Sequence, residues 1–253
     1  MKLKIYSLKG KAKKRIELPA VLEEPYRPDI IKRAVCAIQA NRRQPYGASI
    51  YAGKRHVAVW IGKGRGMSRV PRLANGTGSF APGTVGGRRA HPPKAEKRWR
   101  EKINKKEKKK ALRSALSATK DKELVIARGH KFNPKLTLPI VIEDEFENLA
   151  TVKEVIEVFK KLGVYEDLER AKNNTHIRAG IGKRRGRKYH VPKSILVIVS
   201  KLEKIGKGVR NLPGIDIATA RTLNTELLAP GGVAGRLTAL TEKALQEVTA
   251  KFG

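Results

Sequence analysis

The chain has 253 residues, and its 56 lysines and arginines against 23 aspartates and glutamates give a formal charge of +33 at pH 7. That lies far beyond the net charge of about 2–8 that suits a freely diffusing small domain, so the molecule repels its own copies and seeks polyanions. No apolar run approaches the roughly 18 residues that cross a bilayer, and the amino terminus shows no signal-peptide stretch. The single cysteine, Cys36, excludes an internal disulfide framework and a multi-cysteine zinc site. These features predict a soluble intracellular protein with a polyanionic partner.

Taken in chain order, the first clear element is a helix over 29–43. Ile30, Ile31, Ala34, Val35 and Ile38 form its apolar stripe, Cys36 is expected on the inner face, and Arg42-Arg43 close it. The segment 44–94 then changes character. It holds ten of the 23 glycines, and apolar periodicity fades after Ile61. Between Asp29 and Glu96 there is no acidic residue, while lysine and arginine occur thirteen times. Ordering 51 such residues costs on the order of 50–100 kcal/mol of backbone entropy. With no local core to offset that cost, the segment is expected to become ordered only on a partner.

From Pro93 to Thr119 the pattern predicts a lysine-rich helix carrying Trp99, Ile103, Leu112, Ala115 and Leu116. Residues 124–127, 139–142 and 195–199 are short apolar runs of strand length, and 215–218 is a weaker fourth. The carboxylates at 143–147 are expected to be solvated. Thr151 with Glu154 makes a capping box, opening a helix with Val152, Val155, Ile156, Phe159 and Leu162 inward. A second acid-free stretch, between Glu169 and Glu203, holds Arg178, Lys183, Arg184, Arg185, Arg187, Lys188 and Lys193. Thr241 starts a last helix with Ala244, Leu245, Val248 and Phe252 inward. Strands buried on both faces and separated by helices predict an α/β fold, a globular layered domain whose central, mainly parallel sheet is flanked by helices. The predicted organisation is a globular domain of 1–43 and 95–253, interrupted by a long, extended, irregular internal loop over 44–94.

No catalytic or cofactor pattern emerges. Gly62-Lys63-Gly64-Arg65-Gly66 lacks the spacing of a Walker loop and is not followed by a helix. His56, His91, His130, His176 and His190 show no metal-ligand spacing. No enzyme activity, cofactor or metal is expected. The loop instead suits RNA. Its arginines bind phosphate bidentately and stack on bases, and Trp60, Phe80, His56 and His91 are interleaved where they can stack on unpaired bases, Trp60 beside Val57-Ala58-Val59 fitting a core position equally well. An RNA-processing enzyme and a basic chromatin-type protein are the alternatives. Turnover on RNA would mark the first, and preference for duplex DNA the second.

The blocks 64–72 (GRGMSRVPR), 86–94 (GGRRAHPPK), 111–119 (ALRSALSAT), 177–183 (IRAGIGK), 211–215 (NLPGI) and 228–232 (LAPGG) resemble, in order, the L-four ribosomal protein family of the large subunit. The likeness is to its archaeal and eukaryotic branch. The absence of a long carboxy-terminal extension points to the archaeal type. This resemblance implies a structural constituent of the large subunit with an α/β globular domain. Its loop threads into ribosomal RNA, supports subunit assembly and helps wall the nascent-polypeptide exit tunnel. Tip residues facing the tunnel would be Arg65, Gly66, Met67, Ser68, Arg69, Val70 and Arg72. Contacts to large-subunit rRNA would come from Arg42, Arg43, Lys54, Arg55, His56, Lys63, Arg65, Arg69 and Arg72 on the outgoing side. Arg88, Arg89, His91, Lys94, Arg98, Arg100, Lys102 and Lys105 would follow on the returning side. Arg178, Lys183, Arg184, Arg185, Arg187 and Lys188 would clamp RNA from the globular side. The implied partners are rRNA, neighbouring ribosomal proteins and the nascent chain, without membrane association or homo-oligomers.

Overall fold

A computed structural model describes residues 2–252. The chain separates into two compact units, one made of the residues up to Gln39 together with those from Lys102 onward, the other Ala40–Glu101. The elements of the first unit are β1 (Lys2–Tyr6), β2 (Ala12–Glu17), α1 (Pro28–Asn41, whose last turn enters the second unit), α2 (Lys105–Ser117), α3 (Lys122–Ala127), β3 (Ile140–Ile142), α4 (Val152–Leu162) and α5 (Tyr165–Asn173). They continue with β4 (His176–Ile177), β5 (Tyr189–His190), β6 (Leu196–Val199), α6 (Ile205–Arg210), β7 (Asp216–Thr219), α7 (Thr225–Leu228), β8 (Thr238–Thr241) and α8 (Glu242–Phe252).

Six strands form one sheet in the order β2-β1-β3-β8-β6-β7. All neighbours run parallel except β1 and β2, which pair as an antiparallel hairpin. The parallel strands bury both faces, and alternate residues therefore serve two cores. Leu196 and Ile198 of β6 join Val141, Leu240, Ile31, Leu116 and Leu245 on one face. Ile195, Val197 and Val199 join Ile140, Ile142, Val155, Phe159 and Leu168 on the other. Each such side chain contributes roughly 1.5–3 kcal/mol by leaving water. The result is the α/β layering with a mainly parallel sheet that the apolar runs predict.

The capping box forms as expected: the Thr151 hydroxyl accepts from the Glu154 amide and the Glu154 carboxylate accepts from the Thr151 amide, both at 3.4 Å. Gly163 ends α4 at φ 71°, where a side chain would also collide with Asn133 at 2.9 Å. The inward set differs slightly from expectation, because Val158 is buried whereas Val152 and Ile156 are only partly so.

Other local readings are corrected. Residues 124–127 lie in α3 and are not a strand, with Val125 buried and Ile126 60% exposed. A four-residue apolar run fits either period, and here only one face finds a core. The helix expected from Pro93 starts only at Lys105, after an extended Asn104. Cys36 is exposed, since it sits about 140° around the helix from Ile31 at 3.6 residues per turn. The pattern reading misses α5, α6, α7, the β4–β5 ribbon and three strands of the six-stranded sheet. The lysine-interrupted β1–β2 hairpin carries little apolar signal, and β8 is hidden against the start of α8.

The acidic cluster at 143–147 is not simply solvated. Glu147 accepts from the Ser200 amide at 2.7 Å, the Lys201 amide at 3.2 Å and the Thr241 hydroxyl at 2.6 Å. Glu143 accepts from the Leu8 amide at 2.7 Å and from Lys13 at 2.5 Å. A second polar group lies inside the core. Fully buried Asp167 accepts from Ser194 at 2.6 Å, Arg170 at 2.9 Å, the Lys131 amide at 3.1 Å and His130 Nδ1 at 3.0 Å. Burial pushes the Asp167 carboxyl up, but these donors outweigh it and hold the group at about 2. Burial pushes His130 down more than Asp167 raises it.

A basic glycine-rich hairpin as a candidate RNA interface

Within the Ala40–Glu101 unit the chain runs out and back. The Ala48 amide donates to the Pro93 carbonyl at 2.9 Å, and the arms close again where Gly53 meets Arg88. Gly53 has φ 73°, and a Cβ there would lie 2.5 Å from the Arg88 amide nitrogen, so only glycine permits this approach. Further out, Val59 and Arg72 exchange both backbone hydrogen bonds at 2.9 and 3.0 Å. The stretch 73–79 turns back, so that the Ser79 amide reaches the Pro71 carbonyl at 2.7 Å. Backbone pairing therefore organises a segment whose apolar pattern predicts no regular element. No apolar core accompanies it: among the described residues of 44–94, Ser79 alone is buried.

The predicted tip, 65–72, follows Val59 and ends on its paired partner Arg72, with Met67 52% exposed. Lys54, Arg55, His56, Lys63, Arg65, Arg69, Arg88, Arg89, His91 and Lys94 are all exposed. Arg72 differs. Its guanidinium donates to the Gly76 carbonyl at 2.7 Å and the Ser68 hydroxyl at 3.0 Å, which makes it a brace within the hairpin. Trp60 is 60% exposed and His56 is exposed, leaving both rings free to stack.

At the root of the same unit, Asn41 and Glu101 exchange two hydrogen bonds at 3.1 Å and hold the returning strand extended. Tyr46 stacks on Trp99 at 5.1 Å, and the Arg43 guanidinium lies 4.3 Å from the Trp99 ring. These contacts explain why the lysine-rich helix does not reach back to Trp99. Arg42, Arg98 and Arg100 are exposed in this unit. Tyr46, 50% exposed, is an aromatic of this surface that sequence reasoning overlooked. Its signal was an aromatic close after the Arg42-Arg43 pair.

In the sheet unit, Lys102 and Lys105 are exposed beside and at the start of α2. The other basic cluster sits on the two-stranded ribbon β4–β5, paired His176 to His190 and Ile177 to Tyr189. The Arg178 amide donates to the Lys188 carbonyl at 2.9 Å, which brings those two predicted residues together. Arg178 itself is half-buried, whereas Lys183, Arg184, Arg185, Arg187 and Lys188 are exposed on and after the 3-10 turn Ile181–Arg185. The His176 and His190 rings lie 5.0 Å apart and Lys188 sits 5.4 Å from the Tyr189 ring. The sequence reading named the cations here but missed His176, Tyr189 and His190, whose spacing becomes meaningful only once the ribbon pairs them. Exposed rings interleaved with cations, in a stretch without acids, have the chemistry that suits phosphates and bases. Among the described residues no group of three histidines, cysteines or carboxylates is placed to hold a metal ion, and no helix is long and apolar enough to cross a membrane.

Comparison with known proteins agrees with this picture. The chain is 52% identical over 252 residues to the large ribosomal subunit protein uL4 of Methanococcus maripaludis, covering 100% of both chains. It is 52% identical, again with 100% of both chains covered, to the protein of that name from Methanocaldococcus jannaschii. The counterpart in Haloquadratum walsbyi is 52% identical over 248 residues, covering 98% of this chain and 99% of that protein. The sequence model of the Ribosomal protein L4/L1 family matches residues 16–251, and the chain belongs to that family.

Proposed function

We propose that the protein is a structural, non-catalytic constituent of the large ribosomal subunit in the cytoplasm. It binds large-subunit rRNA through the Ala40–Glu101 unit and the β4–β5 ribbon, and supports subunit assembly. The observation that carries this reading is the coincidence of three properties in 44–94: no acidic residue, exposed cations throughout, and no buried apolar side chain. Such a segment gains its stabilising contacts from phosphates and bases outside the chain. Residues 65–72 form the tip that lines the nascent-polypeptide exit tunnel, and other large-subunit proteins pack on the sheet unit.

The test is binding to large-subunit rRNA fragments as salt rises from about 50 to 200 mM. The expected result is a steep log-log decline, about 0.7–0.9 per phosphate contact released. An affinity indifferent to salt, or a preference for duplex DNA at matched salt, overturns the reading. For the tip, Arg69→Cys in a Cys36→Ser background, carrying a photo-crosslinker and assembled into ribosomes, should label nascent chains. Labelling of rRNA alone would overturn the tunnel assignment.

A further inference from the structure

The root of the Ala40–Glu101 unit holds a feature that general phosphate binding does not explain. A cavity of about 710 Å³ opens there, within the range of roughly 300–1,000 Å³ typical of small-ligand sites. Its walls are flat and apolar: Tyr46, Trp99, Pro92 and Pro93. The two aromatic rings are stacked at an interplanar angle of 28°, the Arg43 guanidinium lies 4.3 Å from the Trp99 ring and 5.3 Å from the Tyr46 ring, and Lys97 lies 5.1 Å from the Trp99 ring. Arg89, Lys94 and Lys97 also line the cavity, with His91 beside them.

Two polar groups remain without partners. The Trp99 indole N–H is shielded from solvent and meets no acceptor among the described residues. Glu96, the first acidic residue after Asp29, also lines the cavity. It makes no ion pair among the described residues, although three cations line the same space. A carboxylate on a phosphate-binding face is repulsive unless it accepts from a donor on the ligand. Flat walls, three cations and one exposed carboxylate acceptor on the lining match a nucleotide whose base presents donors. Guanine alone presents two adjacent donors, N1–H and N2–H, to a single carboxylate.

We propose that this cavity takes one unstacked guanosine of the ribosomal RNA. The base lies against Tyr46 and Trp99, its Watson–Crick edge meets Glu96, and its flanking phosphates meet Arg89, Lys94 and Lys97. The proposal rests on the RNA-binding reading above and adds to it a base-specific contact.

The experiment uses the full chain with Trp60→Phe, which leaves Trp99 as the one tryptophan. Its fluorescence is titrated with oligouridine, and with the same oligomer carrying one central guanosine or one central adenosine. The guanosine probe should quench Trp99 at about tenfold lower concentration than the others, the scale of one bidentate contact to a base edge. Tyr46→Ala should weaken all binding at this site. Glu96→Ala, an exposed change, should erase the preference for guanosine. Equal quenching by all three probes, no quenching by any, or a guanosine preference that survives Glu96→Ala overturns the pocket. These outcomes leave the salt-dependent binding of whole rRNA standing, and loss of that binding in the unsubstituted chain would instead overturn the underlying reading.

Discussion

Arg236 Nη1 lies 2.7 Å from the Asp216 carboxylate, and the arginine side chain is completely buried. The same guanidinium donates to the carbonyls of Ser194 at 2.7 Å, Leu227 at 2.9 Å and Gly214 at 3.1 Å. It thus joins the entries to β6 and β7 to the chain entering β8. Burial lowers the guanidinium pKa and Asp216 partly restores it. Arg236→Met leaves three carbonyls without their donor and Asp216 with Lys193 alone, at 2.9 Å, and should cost about 3 kcal/mol. A urea titration measures this, and an unchanged midpoint would contradict the brace.

The buried His130–Asp167 pair predicts two acid-sensitive steps. Its folded pKa lies below the unfolded value of about 6.5, so His130 contributes stability that is present above pH 6.5 and is lost as pH falls through the folded value. Asp167, held at about 2 against an ordinary 3.8, contributes stability that is present above 3.8 and disappears as pH approaches 2. That second step amounts to about 2 kcal/mol. Urea midpoints measured from pH 7 downward should fall first below 6.5 and again below 4. His130→Gln should remove the first step only, and its persistence there would assign it elsewhere.

Glu147 and Glu145 should respond very differently to substitution. Glu147→Ala removes the acceptor for two amides and a hydroxyl and should cost about 2–3 kcal/mol. Glu145 is exposed, and Glu145→Ala should stay within about 0.5 kcal/mol. Thermal unfolding of the two variants side by side checks the contrast.

Those two glutamates also show where the sequence was legible. Apolar runs such as 195–199 and the Thr151–Glu154 pair disclose themselves through period and spacing, because the physics that forms them is local. Glu147 and Asp167 do not, since their partners at Ser200, Thr241, His130 and Ser194 are brought near only by the folded sheet. The acid-free hairpin was visible from composition, but its internal pairing of Val59 with Arg72 was not, because glycine-rich backbone leaves no side-chain pattern. Trp99 misled for a related reason: the Tyr46 ring that holds it lies more than fifty residues earlier.

Removing 53–82 should leave the sheet unit cooperatively folded, because among the described residues of that stretch Ser79 alone is buried. Six lysines and arginines leave with it, and the log-log salt slope for rRNA should drop by up to about five. Differential scanning calorimetry and filter binding test the two halves. Loss of a sharp thermal transition would show that the hairpin contributes to the sheet unit's stability.

The position of β2 has a consequence for the free chain before assembly. As the outermost strand, β2 offers an unpaired row of amides and carbonyls, the template on which proteins aggregate edge to edge. Lys13, Lys14 and Arg15 occupy that rim, all exposed. A second copy approaching in register would set like charge on like charge, which opposes pairing along this edge.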